Sequence, residues 1–113
     1  MENNQDNNRG YTLEMHQIMK TQDPVWFEKY NEFIYATYTG ERTLDRKTKE
    51  LIQITVEAAL KADMEQIQAH VKVALQVGAT AEEILEALQC VVAPMGALAF
   101  RRGLQALSAE VGW

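Results

Sequence analysis

Apolar positions along this chain recur at three- and four-residue steps almost from end to end, and that spacing predicts helices throughout. Leu13, Met15, Ile18 and Met19 predict a short first helix over 11–20. Asp23 followed by Pro24 reads as an N-cap with proline at the first helical position, opening a helix that runs to about Tyr38 and that Gly40 ends. Trp26, Phe27, Tyr30, Phe33, Ile34 and Tyr38 form an aromatic-rich stripe along it, suited to a core or a subunit interface. Asp45 caps the next helix, which continues to about Lys61. Its interior, LIQITVEAAL, is apolar nearly all round and predicts a helix packed on more than one side, at the centre of a bundle.

The stretch from Ala62 to Ile84 organises the rest. Asp63 with Gln66 three residues on has the form of a capping box, Gly78 stands where a left-handed helix stop is needed, and Thr80 with Glu83 forms a second capping box. So short a connection makes these two helices antiparallel or steeply crossed neighbours. Ile67, Val71, Ala74, Leu75 and Val77 would face the core, with His70 at the edge of that face and at least half buried. The following helix runs from Ala81 to Pro94 with Ile84, Leu85, Leu88 and either Val91 or Val92 inward. From Pro94 onward, Gly96, Ala97, Ala99 and Gly103 allow close helix approach. No strand alternation occurs. The expected fold is all-α, a single-domain bundle of about five or six helices over residues 11–113, behind an Asn-rich tail, 1–10, that has little to bury.

Composition narrows the partners. At 113 residues, 47% hydrophobic with two prolines and six glycines, the chain suits one ordered core. A net charge of −5 with scattered Lys and Arg disfavours nucleic acid. No apolar run approaches the roughly 20 residues of a membrane span, and MENNQDNNRG lacks the apolar centre of a secretory signal, so a cytoplasmic location is expected. The single cysteine agrees with that location.

The chemistry is narrow as well. Cys90 lies in an apolar run, where a thiol is expected to be buried and inert. His16 and His70 are the two histidines, and no spacing of the H-E-x-x-H kind accompanies them, so neither a metal nor another cofactor is expected. What remains is acid–base chemistry. Glu50 and Glu57, seven residues apart on one face of the preceding helix, are each able to approach His70. A satisfied core histidine, with Glu57 pointing to water, is the plainer alternative.

The run from LDRKTKELIQITVEAAL through HVKVALQVGATAEEILEALQ resembles the carboxymuconolactone decarboxylase family of the alkylhydroperoxidase D-like superfamily. The likeness covers roughly residues 25–108 and rests on KELI at Lys49–Ile52, His70 with its VxxAL tail, GAT at Gly78–Thr80 and EEILEAL at Glu82–Leu88. It implies an all-α fold assembled as hexamers or trimers, with active sites near subunit contacts. In the peroxidase branch a Cys-x-x-Cys precedes the histidine. Those positions fall here on Asp63 and Gln66, or on Ala62 and Glu65 in a register shifted by one residue, so the thiols are absent and peroxidase activity is not expected. The histidine and a glutamate carry over as His70 and Glu50.

Two functions follow as expectations. The first is acid–base decarboxylation, or related chemistry, of a small carboxylated lactone or keto acid, with His70 and Glu50 catalytic. The second is a non-catalytic oligomeric binding or accessory protein that keeps the fold. Apolar surface in excess of what one short chain hides predicts a homo-oligomer, and the resemblance makes a hexamer, or a trimer, the expected size.

Overall fold

The computed structural model describes residues 9–113, all of it helix and connection. Seven α-helical segments occur among these residues: α1 Glu14–Gln22, α2 Pro24–Ile34, α3 Arg46–Ala59, α4 Met64–Gln76, α5 Ala81–Gln89, the single turn α6 Val92–Met95, and α7 Ala97–Val111. They fall into two compact units, Met1–Thr43 and Leu44–Trp113.

In the first unit α1 begins three residues later than its apolar spacing predicts and reaches Gln22. The Asp23 cap and Pro24 stand as expected, the Asp23 carboxylate accepting from the Trp26 amide. The helix does not remain α-helical to Tyr38, because Tyr35–Thr39 widens to a π-helical turn before Gly40. The aromatic stripe divides accordingly. Phe27 and Tyr38 are buried, whereas Trp26 and Phe33 are exposed, Trp26 stacking on Tyr30. Most of the expected tail, 1–8, lies outside the described residues. Arg9, counted with that tail in the sequence, is buried, its guanidinium donating to Asn31 Oδ1 at 3.0 Å and to the Tyr11 carbonyl at 3.1 Å. A long cationic side chain thus finds buried partners that a hydropathy pattern does not register.

The second unit carries the core. Ile54 and Ala58 of α3, Ile67, Val71 and Ala74 of α4, Ile84 and Leu88 of α5, and Ala106 and Leu107 of α7 make one buried apolar cluster. Helix α3 packs against α4, α5 and α7, which bears out its central place. Its apolar character all round is nonetheless only partly used: Ile52, Val56 and Leu60, four residues apart, form an exposed stripe on the chain by itself. Asp45 caps α3 through the Thr48 amide, and Thr80 and Glu83 cap α5 reciprocally, each contact worth about 1 kcal/mol. Val91 is the inward residue and Val92 the outward one. Val77, expected inward, is instead half-exposed, because α4 has already ended at Gln76 and the chain turns at Gly78, φ +106°.

Two helix ends differ from expectation. The helix predicted to continue to Pro94 stops at Gln89, which places Cys90 in the cap and exposes it; the buried thiol read from its apolar run is not found. At the end of α3, Lys61 takes a left-handed backbone, φ +56°. A side chain there costs roughly 1–2 kcal/mol that a glycine would avoid.

Gly103 of α7 sits where an added Cβ would run into Leu88 Cδ2 and lie 3.2 Å from Ala58 Cβ. The close approach of α7 to α3 and α5 therefore depends on the absent side chain. Gly103→Ala gains helix propensity and nevertheless lowers stability, by about 1–3 kcal/mol, as overpacked cores do; urea unfolding followed by circular dichroism measures it.

Candidate active site

Helix α3 presents Glu50 and Glu57 two turns apart, and α4 lies against it with His70 opposite. The expected pairing is present and goes further than the sequence alone suggests. Glu50 Oε1 lies 2.9 Å from His70 Nδ1, and Glu57 Oε2 lies 3.2 Å from His70 Nε2, so both glutamates reach the ring, one on each nitrogen. Glu50 is fully buried, His70 is 2% exposed, and the Glu57 side chain is 13% exposed.

Two further residues complete the cluster. Arg46 Nε donates to Glu50 Oε2 at 2.8 Å, one turn earlier on the same helix. Gln66 Nε2 donates to Glu57 Oε2 at 3.0 Å. The capping box expected of Asp63 and Gln66 does not form: Asp63 makes no side-chain cap bond, and the Gln66 amide is committed to Glu57 instead. A buried carboxylate costs more to leave without donors than a helix start loses without its side-chain cap, which is why Gln66 turns inward.

The geometry decides the protonation of the ring. A carboxylate oxygen only accepts, so a neutral imidazole would set one lone pair against an oxygen lone pair. With both nitrogens protonated, two N–H groups point at two carboxylates and every contact is favourable. Gln66 Nε2 lies 3.4 Å from His70 Nε2, and in that state the two are donors converging on Glu57 Oε2 rather than partners of each other. Burial of His70 favours the neutral ring. The bonds to Glu50 and Glu57 and their charge outweigh it, and raise the pKa from 6.5 to about 9. Two carboxylates, one guanidinium and one imidazolium then balance in charge. One atom stays unmatched: Glu57 Oε1 is buried with no hydrogen-bond partner among the described residues.

Both candidates from the sequence, His70 and Glu50, are in this cluster. Glu57, left open between the ring and water, belongs to it too. Arg46 and Gln66 were missed as members of the cluster: Arg46 stands four residues before Glu50 on one helix, a spacing that puts side chains in reach, whereas Gln66 meets Glu57 nine residues earlier on the preceding helix, which no local spacing signals.

The sequence profile of the carboxymuconolactone decarboxylase family matches residues 24–109. The chain belongs to that family. Its fold is also similar to the crystal structure of a candidate carboxymuconolactone decarboxylase from Burkholderia xenovorans LB400, with a TM-score of 0.85 at 19% sequence identity, covering 96% of this chain and 84% of the other. At that identity the likeness is one of fold. No curated protein matches the sequence significantly. Family and fold both agree with the reading made from KELI, His70, GAT and EEILEAL.

The imidazolium contacts give stability a pH dependence. A raised folded-state pKa means that their contribution is complete below the ordinary 6.5 of histidine and is lost as pH rises through about 9. Wild-type stability falls across that window, by an amount on the order of 3 kcal/mol. Glu50→Gln removes the charge facing Nδ1 and breaks the ion pair with Arg46, lowering stability at neutral pH by about 3–5 kcal/mol and flattening the fall. Urea titrations of both proteins across the window measure both effects.

Proposed function

We propose that this family member is a small cytoplasmic acid–base catalyst that decarboxylates a carboxylated lactone or keto acid, with His70, Glu50 and Glu57 at its centre. The observation that carries the reading is an imidazolium held between two carboxylates, beside a buried carboxylate oxygen, Glu57 Oε1, that no group among the described residues satisfies. Orphaned acceptors are expensive, at about 1–3 kcal/mol, and are retained where chemistry uses them.

In the proposed reaction the bond from the substrate carbon to its carboxylate breaks, and carbon dioxide leaves. The electron pair enters the adjoining carbonyl system as an enolate, and the same carbon then takes a proton. His70 Nε2–H supplies that proton once substrate takes the place of Glu57 at Nε2. Glu50, clamped by Arg46, retains the Nδ1–H bond and so keeps the ring oriented while its charge disappears. Glu57 Oε1 accepts a hydrogen bond from a donor on the substrate or from water, and solvent returns the proton to the ring.

The second reading, a binding or accessory protein without catalysis, has its own support in the 2% exposure of His70 and in the occupation of both its ring nitrogens. Carbon dioxide release from carboxylated lactones and β-keto acids separates the two. On the catalytic reading, wild type turns over at least one such acid. His70→Gln then loses about 10²–10⁴-fold in kcat, and Glu57→Gln, which keeps the amide contacts, loses activity with a smaller change in thermal stability. Wild type inactive on all of these acids decides for the second reading.

We also propose a homo-oligomer, a hexamer by family resemblance or else a trimer, in which the Ile52, Val56 and Leu60 stripe is covered by another copy. Light scattering on wild type is expected to give that mass, and Val56→Glu a smaller species. A wild-type monomer at micromolar concentration overturns the assembly.

A further inference from the structure

A second feature of the Leu44–Trp113 unit lies apart from the histidine cluster. Leu98, Arg101, Arg102 and Gln105 stand at i, i+3, i+4 and i+7 on one face of α7 and, with Lys61, line an open groove of about 450 Å³. That volume is within the range of small-molecule sites. Three cationic side chains gather here in a chain whose net charge is −5, and among the described residues none of the three is ion-paired with a carboxylate. Arg102 is fixed in place: its Nε and Nη2 both donate to the Ala62 carbonyl, at 3.1 and 2.9 Å, and Nη1 has no protein partner among the described residues.

Lys61 supplies an independent sign. Of the described residues with positive φ, Gly10, Gly78, Gly96 and Gly112 are glycines, and Lys61 is the exception. The chain uses glycine where it needs only a turn. At the end of α3 it keeps a strained lysine that lines the groove, and backbone strain of that kind collects at ligand sites. Like charges brought together without acids repel one another, and a bound anion relieves that repulsion.

We propose that this groove binds a small doubly charged oxyanion. Lys61 and Arg101 supply charge, Arg102 supplies an oriented donor, Gln105 an amide, and Leu98 an apolar wall. Arg102 is the best ordered of these donors, because the Ala62 carbonyl already holds its guanidinium plane. Dicarboxylates and phosphate share the required chemistry, and the probes tell them apart.

Isothermal titration of the full chain with succinate and with inorganic phosphate, each at ionic strength matched with sodium chloride, tests the site. Saturable binding of at least one dianion at one per chain is expected. Whichever dianion binds identifies the ligand class. Arg101→Gln weakens that binding about tenfold with little change in the ligand-free thermal transition. Lys61→Gly weakens it similarly while raising the ligand-free transition, because the left-handed strain is relieved. A merely structural lysine would not produce that opposite pair of changes. Binding of neither dianion above the chloride background, or wild-type affinity in both variants, overturns the proposal.

Discussion

A buried imidazolium between two carboxylates is the interaction on which the second unit of this protein is built. Burying one charge is prohibitive, and burying four in a balanced set is tolerable only when nearly every donor meets an acceptor. That requirement fixes more than a pair of side chains. It sets the register of α3 against α4, since Glu50 and Glu57 must straddle the ring, and it ties Arg46 to the opening turn of α3. It also draws Gln66 away from the helix start, where its type and position would otherwise have made it a cap. The apolar cluster of Ile54, Ile67, Val71 and Leu88 provides the driving force for packing, and the polar cluster chooses one arrangement among those that burial alone would allow.

The same cluster keeps a polar place inside an otherwise apolar unit. A glutamine amide satisfies one oxygen of Glu57, and the other is unmatched among the described residues. A proton held on a ring with a pKa of about 9 is present at neutral pH, and of the two carboxylates that hold it Glu57 is the one with some exposure. The α3–α4 connection has a second role. Lys61 within it is held in a costly backbone state, and the next residue, Ala62, receives the Arg102 guanidinium, so one short turn joins the glutamate-bearing helix to the cationic face of α7.

Much of this was legible from residues alone, for identifiable reasons. Caps at Asp23, Asp45 and Thr80 and the stop at Gly78 follow from local hydrogen bonding and local backbone freedom, which neighbouring residues determine. Spacing placed Ile67, Val71 and Ala74 of α4 and Ile84 and Leu88 of α5 inward, as found, but it put Val77 inward and passed over the buried Val73. Asp63 and Gln66 misled because a capping box and an inward-turned amide share one pattern, and a partner nine residues earlier in the chain decides between them. Cys90 misled because hydropathy says how a residue would be buried but not where a helix stops. Glu57 stayed open because a position on a helix face says nothing about which face the next helix covers.

By itself, then, the sequence determined helix positions, several of their ends, and the family to which the chain belongs, all properties carried by short-range periodicity and short motifs. Tertiary structure alone decided that both glutamates meet the same ring, that the ring is consequently charged, and that three cations share one groove. Those outcomes depend on energies between residues far apart in the chain, where the cost of an unpaired buried charge, rather than local preference, selects the arrangement.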